Sequence, residues 1–441
     1  MYYIYQILGN FNYQPVKFKI NTIENQNLSE KLNPIDKEQN LASIQVFKSL
    51  TITDKKMIFL LPASLDTSNL EPSEKIMKWG LNQDEYETVT IPANGKYNGN
   101  VFDYNPDEIT FFLYIDMIKR IKFEDTVFID INAGLNEYVD ALNDSISYAY
   151  VTIGLKNLDS QNERQSFEVY KIISEPVFRQ TDSDEYSVYI KNIHKKIFFS
   201  LPSIHSLNFG STMYGGNQKK RDFNSKFAGN INYTKYVENN IIIFNSIRMN
   251  TLSILIKDKS LISKEIGEKL LEITNKILEI YLQTFFQNIS HGIRSCKVKS
   301  VQSIINFIMS LHLYSGFIDL LEGKLSSIRD PENSDIICLE KLQNFAHEIY
   351  NIDKINIPLN SEFLDRDINE WKNCHMDMQK KKYTGPETMP SGSSKRNFFA
   401  HSGLDRNTVS YLCPGKVEFN GNLDERKKWL KSISRANSNV H

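Results

Sequence analysis

The stretch FIDINAGLNEYVDAL, at residues 128–142, decides the fold of the N-terminal part of the chain. It begins with apolar, β-prone residues, passes through a polar turn that contains Asp130, Asn132 and Gly134, and continues with apolar residues at helical spacing. A short strand that leads through such a turn into a helix is half of a βαβ unit. In sheets built from these units, ligands bind outside the carboxyl ends of the strands. We therefore expect a parallel sheet with a ligand site at that edge.

Other segments extend this pattern along the first half of the chain. Apolar runs predict further strands, at residues 3–8, 57–61, 126–129 and 148–153. Amphipathic stretches predict helices at residues 108–121 and 135–147. Two β-rich runs within residues 168–193 flank the polar sequence TDSDE and predict an antiparallel hairpin. Together these elements predict a Rossmann-like α/β domain with a mostly parallel sheet over residues 1–200.

The second half of the chain has the pattern of helices. Apolar residues recur every three or four positions in a stripe formed by Ile266, Leu270, Ile273, Ile277 and Ile280. Residues 304–321 are apolar on nearly every side, which predicts a buried helix. We expect an all-α domain over residues 241–441, preceded by a Gly/Asn-rich linker or loop over residues 201–240.

Composition excludes several classes of protein. The 441 residues include 52 Lys and Arg against 53 Asp and Glu, a formal net charge of −1, and 41% of them are hydrophobic. A disordered chain has fewer apolar residues and a larger net charge. A globally basic nucleic-acid-binding protein carries a clear positive excess. The chain is thus predicted to be an ordinary folded protein, in which a local basic site stays possible.

Cysteine usage and hydropathy predict a soluble, cytoplasmic protein. No two of the four cysteines form a C-x-x-C pair, which predicts reduced thiols and no zinc site. We also expect no metal site of another kind. No apolar run comes close to the roughly 20 residues that span a bilayer, so we expect no membrane partner.

The sequence SSKRNFFAHSGL, at residues 393–404, carries the residues best suited to catalysis. Ser393 or Ser394 is placed to cap a helix, on which Arg396 and His401 point about 140° apart. Asn397 and His401 lie one turn apart and can interact. A site that needs both Arg and His is easier to build where two copies of the helix meet across a two-fold axis. The alternative is a capped amphipathic helix whose Arg is solvated and whose His is structural.

Basic residues flank this motif. Lysines occur shortly before Arg396 and after His401, among them Lys382, Lys395 and Lys427. A run of charge is usually a solvated face, but one that brackets a candidate active site also suits contact with RNA phosphates. Both interpretations stay open at this stage.

Two motifs carry a resemblance to known families. The R-x4-H pattern from Arg396 to His401, followed by SGL in a helical C-terminal region, looks like the HEPN ribonuclease motif. Residues 128–142 resemble the D-x-T-H-G signature of CRISPR-associated CARF domains, with Asn132 in place of Thr and Ala133 in place of His. Residues 6–18 and 58–65 resemble the first two strands of that domain and the loops that follow them. The order of the two motifs resembles the type III CRISPR ancillary ribonucleases of the Csx/Csm class.

The resemblance implies a CARF sensor domain that binds cyclic tetra-adenylate and a HEPN domain that cleaves single-stranded RNA. The implied activator-binding residues lie in the turns after three strands: Gly9, Asn10, Phe11, Pro62, Ala63, Ser64, Asp130, Asn132, Ala133, Gly134 and Asn136. Lys382, Lys395 and Lys427 are the implied RNA contacts. The protein is expected to be a homodimer or higher homo-oligomer without a cofactor. Ring size, four or six adenylates, and the base preference at the cleavage site stay open.

The implied chemistry needs no metal. The ribose 2′-OH attacks the neighbouring phosphate and leaves a 2′,3′-cyclic phosphate and a 5′-OH. His401 would transfer a proton, Arg396 would stabilise the charge of the transition state, and Asn397 would orient His401 or the phosphate. Two alternatives remain: a non-catalytic nucleotide-sensing protein that acts through its helical half, and an unrelated nucleotide-dependent enzyme.

Overall fold

The structure is a computed structural model of the chain. It describes residues 1–9, 11–23, 26–65, 71–97, 99–132, 136–158, 168–177, 185–193, 233–290, 301–328, 333, 335–351, 358–373, 391–405, 408–413 and 415–436. The chain divides into two compact units. The first comprises Met1–Gly154, Glu163–Lys196 and Asn275–Ile305, and the second comprises Leu155–Asn162, Ile197–Thr274 and Asn306–His441.

The first unit is an α/β structure built on strands and helices that largely alternate. Its strands are β1 (Tyr2–Ile7), β2 (Val16–Ile23), β3 (Glu38–Gln39), β4 (Lys55–Pro62), β5 (Tyr86–Ile91), β6 (Asn94–Tyr97), β7 (Asn100–Asp103), β8 (Thr126–Asp130), β9 (Glu168–Ser174) and β10 (Tyr186–Asn192). Its helices are α1 (Gln26–Ser29), α2 (Ala42–Ser49), α3 (Pro72–Met77), α4 (Pro106–Arg120) and α5 (Asn136–Lys156, whose last two residues belong to the second unit).

Within the described residues, eight of these strands form one sheet in the order β3-β2-β10-β9-β8-β1-β4-β5. Strand β1 lies between β4 and β8 and is parallel to both, and β9 and β10 form an antiparallel pair. The predicted mostly parallel sheet is thereby confirmed. After β1 the chain forms β2 and β3 at one end of the sheet and then adds β4 and β5 on one side of β1. Strand β8 later pairs with the other side of β1, so β1 and β8 flank a topological switch point. The carboxyl ends at such a point form a crevice suited to ligands.

One strand prediction is wrong, because residues 148–153 belong to helix α5. Their Tyr, Val, Thr and Ile side chains are β-prone, which explains the error. The helix tolerates polar residues on its buried side because their hydroxyls bond to carbonyls one turn back. Thr152 Oγ1 donates to Tyr148 O at 2.8 Å, and Ser147 Oγ donates to Asn143 O at 2.6 Å.

The second half of the chain is helical, as predicted, but not all-α. Its helices are α6 (Tyr233–Arg248), α7 (Ser253–Lys257), α8 (Lys264–Ser290), α9 (Val301–Ile328), α10 (Leu339–Tyr350), α11 (Pro358–Asn373), α12 (Ser391–Ala400) and α13 (Leu423–Ala436). Three short strands, β11 (Ile336–Cys338), β12 (Val409–Cys413) and β13 (Lys416–Phe419), form an antiparallel sheet. Burial of Val409, Val417 and Phe419 holds this sheet against the helices, which corrects the expectation of an all-α domain.

The end of α8 packs within the first unit. Phe111 of α4 lies 4.9 Å from Tyr281, centroid to centroid, and Phe112 lies 5.5 Å from Phe285. Edge-to-face aromatic pairs of this kind stabilise the contact beyond the burial of their area. The segment of α8 that packs against α4 is thus part of the range predicted as the C-terminal domain. Residues 201–232, most of the predicted linker, lie outside the described residues.

Helix α9 contains an apolar segment, Ile304–Glu322, that is long and apolar enough to cross a membrane. The expectation that no run comes close to that length was therefore wrong. In the described structure 83% of the segment is buried within the protein, as in a core helix. At Gly316 a Cβ atom would lie 1.9 Å from the carbonyl oxygen of Leu155, so only glycine allows the backbones to come this close.

Candidate functional sites

The predicted binding residues of the first unit lie at one edge of the sheet. Gly9 and Phe11 follow β1, Pro62 ends β4 and is followed by Ala63 and Ser64, and Asp130 ends β8 and is followed by Asn132 and Asn136. Because β1, β4 and β8 are parallel neighbours, these turns lie side by side. Asn10, Ala133 and Gly134 lie outside the described residues.

Asp130 lies beneath the turns of this edge, inside the protein, and does not face solvent. Its side chain is buried, with 1% of the residue exposed. One carboxylate oxygen accepts the backbone N–H of Ser43, in the first turn of α2, at 3.1 Å. The other accepts the backbone N–H of Asn132 at 2.8 Å and its side-chain amide at 2.6 Å. The carboxylate thus ties the start of α2 to the turn after β8.

The exposed Asn132 and the buried Gln6 extend this network toward the neighbouring strands. The Asn132 amide donates to Ile172 O at 3.0 Å, and its oxygen accepts the N–H of Ser174 at 2.7 Å, which fixes the turn against β9. Gln6, the register partner of Asp130 on β1, accepts the Ser43 hydroxyl. The network therefore spans β1, β8, β9 and α2.

Burial shifts the titration of Asp130. Removal from water raises the pKa of its carboxyl to about 6, and the hydrogen bonds from Asn132 and Ser43 oppose that rise. In the folded protein the Asp130 carboxyl therefore loses its proton near pH 6.

A second cluster forms where β4 and β5 end. Tyr138, in the first turns of α5, accepts the backbone N–H of Asn94 at 3.1 Å, and the hydroxyl of Ser64 also bonds to it. The Asn94 amide donates to Glu137 at 2.9 Å. Burial raises the pKa of Tyr138 to about 12, so it stays a neutral hydroxyl. Ser64 is thereby fixed in place, whereas Tyr138 was not predicted from the sequence.

Phe11 and Lys75 supply an aromatic ring and a cation at the same edge. The Lys75 ammonium, on α3, lies 4.6 Å from the centroid of the half-buried Phe11 ring. Phe11 leans on Trp79, with their centroids 6.3 Å apart, and Trp79 is itself packed against Phe59. Lys75 was not predicted from the sequence, where its only signal is its position in the first helix after β4. A ring and a cation side by side suit a nucleobase and its phosphate.

In the second unit, the predicted catalytic motif ends helix α12. The helix starts at Ser391, so Ser393 and Ser394 lie in its first turn and not at its cap. His401 follows directly and donates its N–H to Asn397 O at 3.0 Å, which places the two residues one turn apart as predicted. Arg396 is exposed and Asn397 is half-buried.

The residues after His401 form a tight turn that ends the helix and fixes the position of His401. Ser402 and Gly403 both have left-handed backbones, with φ of 54° and 72°, and the Gly403 N–H donates to Phe398 O at 2.9 Å. This is the bonding of a Schellman helix end. A Cβ at position 403 would lie 2.6 Å from Ser253 Oγ, so glycine is needed for space as well as for φ.

Asn250 connects this turn to the neighbouring helices through hydrogen bonds. Its amide donates to Ser402 Oγ at 2.8 Å and to Asn360 O, in the first turn of α11, at 2.9 Å. Tyr350 at the end of α10 donates to its oxygen at 2.8 Å. The network sets the position of α11 relative to His401.

Asp367 of α11 is the nearest described carboxylate to His401. His401 Nδ1 lies 3.8 Å from Asp367 Oδ1, and the Asp367 side chain is only 3% exposed while that of His401 is 48% exposed. Arg366 Nη2 lies 3.4 Å from the same oxygen. Asp367 Oδ2 is buried and has no hydrogen-bond partner among the described residues. A buried carboxylate with one oxygen unpaired is stabilised by a cation beside it.

The flanking basic residues have different surroundings. Lys395 Nζ donates to Ser432 Oγ on α13 at 2.8 Å. Lys427 forms ion pairs with Asp258 at 2.8 Å and Asp424 at 3.5 Å, which offset much of its charge. Lys382 lies outside the described residues. Among the residues that the structure describes, no group of three or more His, Cys, Asp and Glu side chains could hold a metal ion.

The N-terminal part of the chain matches a known family. Residues 3–176 match the family model described as the CARF domain of the CRISPR system endoribonuclease Csx1. The matched range runs from β1 through β9 and contains the three turns of the sheet edge. Comparison with curated proteins gives no match.

The raised pKa of Asp130 predicts a pH dependence of stability. The folded state holds the proton up to about pH 6, whereas the unfolded chain loses it near pH 3.8. Between these values the folded state binds more protons, so its stability falls as pH rises, by up to about 3 kcal/mol for this group. The difference in Tm between wild type and Asp130→Asn, measured by calorimetry, should shrink by several degrees between pH 4 and pH 6.5.

The matched control is Asp140→Asn, which removes an exposed carboxyl from α5. Its Tm difference from wild type should stay nearly constant over the same range. A constant difference for Asp130→Asn as well would show that the Asp130 carboxyl is not the titrating group.

Proposed function

We propose, from the match of residues 3–176 to the model of a CRISPR-associated CARF domain, that the protein is an endoribonuclease of type III CRISPR defence that a cyclic oligoadenylate activates. The sheet edge of the first unit binds the activator, and the end of α12 carries the active site. The observation that supports the catalytic half best is the exposed imidazole of His401 beside the buried carboxylate of Asp367.

His401 and Asp367 have the geometry of a positioned proton-transfer group. With Nδ1 directed at the carboxylate, Nε2 is left for the substrate. The separation of 3.8 Å is an ion-pair distance, and such contacts often tighten when substrate binds. Asp367 acts through His401, which makes it a positioning residue. Asn397 holds the backbone of His401 through the bond to its N–H.

The proposed reaction is a transesterification. The 2′-oxygen forms a bond to phosphorus while the bond from phosphorus to the 5′-oxygen breaks, which gives a 2′,3′-cyclic phosphate and a 5′-OH. The 2′-OH loses a proton and the leaving 5′-oxygen gains one, and His401 transfers one of these protons. Arg396 stabilises the negative charge that develops on the phosphoryl oxygens. DNA lacks the 2′-OH and is not a substrate.

The proposed active site forms between two copies of α12. Arg396 and His401 lie five positions apart at the end of one helix, about 140° around its axis, so a phosphate meets both more readily when a second copy contributes its own pair. The proposed activator is cyclic tetra-adenylate, whose ring symmetry matches a two-fold site. Binding at the sheet edge would change the distance or angle between the two α12 helices, which is a coupling free energy between the sites.

The activator edge offers both a stacking ring and a cation. Phe11 would stack on an adenine, Lys75 would neutralise a phosphate, and the turns after β4 and β8 would supply backbone N–H groups and the Ser64 hydroxyl. Asp130 holds this edge in shape through the turn at Asn132 and through α2. Of the proposed RNA contacts, Lys395 is the stronger candidate, because Lys427 is already ion-paired.

RNA cleavage in EDTA tests the proposal. We expect wild type to cleave single-stranded fluorescent RNA without a divalent metal, only when cyclic tetra-adenylate is present. His401→Ala should lower kcat at least about 100-fold, since positioned proton transfer contributes about 10² to 10⁴. His347→Ala is the matched control, because His347 is also a half-exposed histidine beside an aspartate, Asp365 at 2.9 Å.

Two results would contradict this assignment. Cleavage that His401→Ala leaves intact would exclude the active site, and cleavage that requires a divalent metal would exclude the mechanism. A protein that binds the activator without cleaving RNA would instead be the nucleotide-sensing regulator.

Asp367→Asn tests the positioning role. The variant keeps the size of the side chain but removes the charge, so we expect kcat to fall about tenfold while KM for RNA changes less than twofold. Asp365→Asn, two residues earlier on the same helix, removes the charge that pairs with His347 and should keep the wild-type kcat. Equal effects of the two variants on kcat, or a rise in KM without a fall in kcat, would argue against the role of Asp367.

A further inference from the structure

Helix α11 carries an exposed aromatic ring, that of Phe363, which lies outside the core. Phe363 is 51% exposed, although phenylalanine is usually buried. The core-facing side of α11 is supplied by Leu364 and Ile368, which are fully buried. The ring of Phe363 therefore contributes little to the core, and half of its surface is open to contact with a ligand.

Arg366 links this ring to the proposed active site. Phe363, Arg366 and Asp367 lie three and four positions apart, on one side of α11. The Arg366 guanidinium carbon lies 5.5 Å from the centroid of the Phe363 ring. Its Nη2 lies 3.4 Å from Asp367 Oδ1, the same oxygen that lies 3.8 Å from His401 Nδ1. The exposed guanidinium and the exposed imidazole therefore lie on either side of Asp367 Oδ1, with the ring of Phe363 beside the guanidinium.

The chemistry of this surface fits a nucleotide. The Arg366 side chain is 57% exposed, so its guanidinium keeps donors for a phosphate while one edge is held by Asp367. Aromatic rings and guanidinium planes both stack on nucleobases. Neither group reads the hydrogen-bonding edge of a base, so the contact should accept any base.

We propose that Phe363 and Arg366 form a nucleotide subsite next to His401, where one base of the single-stranded RNA stacks on Phe363 and an adjoining phosphate binds Arg366. The inference rests on the proposed ribonuclease function, of which it names the substrate-binding surface. It explains why an exposed ring and an exposed arginine are held beside the carboxylate that positions the histidine. Duplex RNA would bind poorly, because its bases are already stacked.

The test measures binding and cleavage by the full-length protein with cyclic tetra-adenylate present. Binding uses a single-stranded 2′-O-methyl oligonucleotide, which lacks the attacking hydroxyl, and is followed by fluorescence anisotropy. Phe363→Ala and Phe363→Leu should raise Kd about tenfold, while Phe363→Trp should stay within about twofold, because only the first two lose the stacking face. Arg366→Gln should weaken binding and lower the salt dependence of Kd by about one phosphate contact.

Phe286→Ala is the matched control. Phe286 is another exposed phenylalanine, 43% exposed, on α8 in the first unit, and its loss should leave Kd unchanged. Sedimentation of each variant reports its oligomeric state. A fall to monomer in Phe363→Ala would show that the ring belongs to a subunit interface and would overturn the proposal.

The remaining outcomes separate the subsite from the proposed function. If wild type cleaves RNA and Phe363→Ala and Phe363→Leu keep its Kd and KM, the subsite is excluded while the ribonuclease stands. If Phe363→Trp loses as much affinity as Phe363→Ala, stacking is excluded. If wild type fails to cleave RNA yet binds the oligonucleotide through Phe363, the subsite stands and the ribonuclease function fails.

Discussion

The buried Asp130 carboxylate is the interaction on which the sheet edge depends. It lies at the end of β8, beside the central strand β1, and holds the turn after β8 and the start of α2 together. Four groups converge there: the N–H groups of Ser43 and Asn132, the Asn132 amide and, through Ser43, the Gln6 side chain. Because Asp130 and Gln6 are buried, the bonds of this network are at least partly shielded from water and hold the loops above them in one arrangement. A binding edge made of loops needs such a base if it is to be formed before the ligand arrives.

The second unit uses a buried carboxylate in a similar way. Asp367 lies below the surface of α11 and has its Oδ1 near both His401 and Arg366. Asn250 fixes the distance between them, since it bonds to the turn after His401 and to the start of α11. In both units the residue that faces solvent depends on a buried charge beneath it. A substitution in the buried layer therefore alters the surface site without touching a ligand.

Much of the first unit could be predicted from the sequence, because β1, β4 and β8 are continuous apolar runs that end at polar turns. Strands β2 and β5 alternate with polar residues and gave a weaker signal, and residues 148–153 look β-prone although they continue a helix. The motif located His401, but not Asp367, whose partner lies on another helix. Lys75, Tyr138 and Phe363 were missed for the same reason: their surroundings arise only when distant segments pack together. The burial of Asp130 could not be predicted either, because the sequence of a polar turn at the end of a strand does not indicate which side chain faces inward.

In the proposed mechanism, ligand binding at the sheet edge controls cleavage at His401. The most direct test of this coupling is the rate of RNA cleavage as a function of cyclic tetra-adenylate concentration in Lys75→Ala, with Lys78→Ala, an exposed lysine at the end of α3, as control. We predict that Lys75→Ala raises the midpoint of activation about fivefold and reaches the wild-type rate at saturation, whereas Lys78→Ala follows the wild-type curve. An unchanged midpoint in Lys75→Ala, or cleavage that does not depend on the activator at all, would contradict this coupling between the sheet edge and His401.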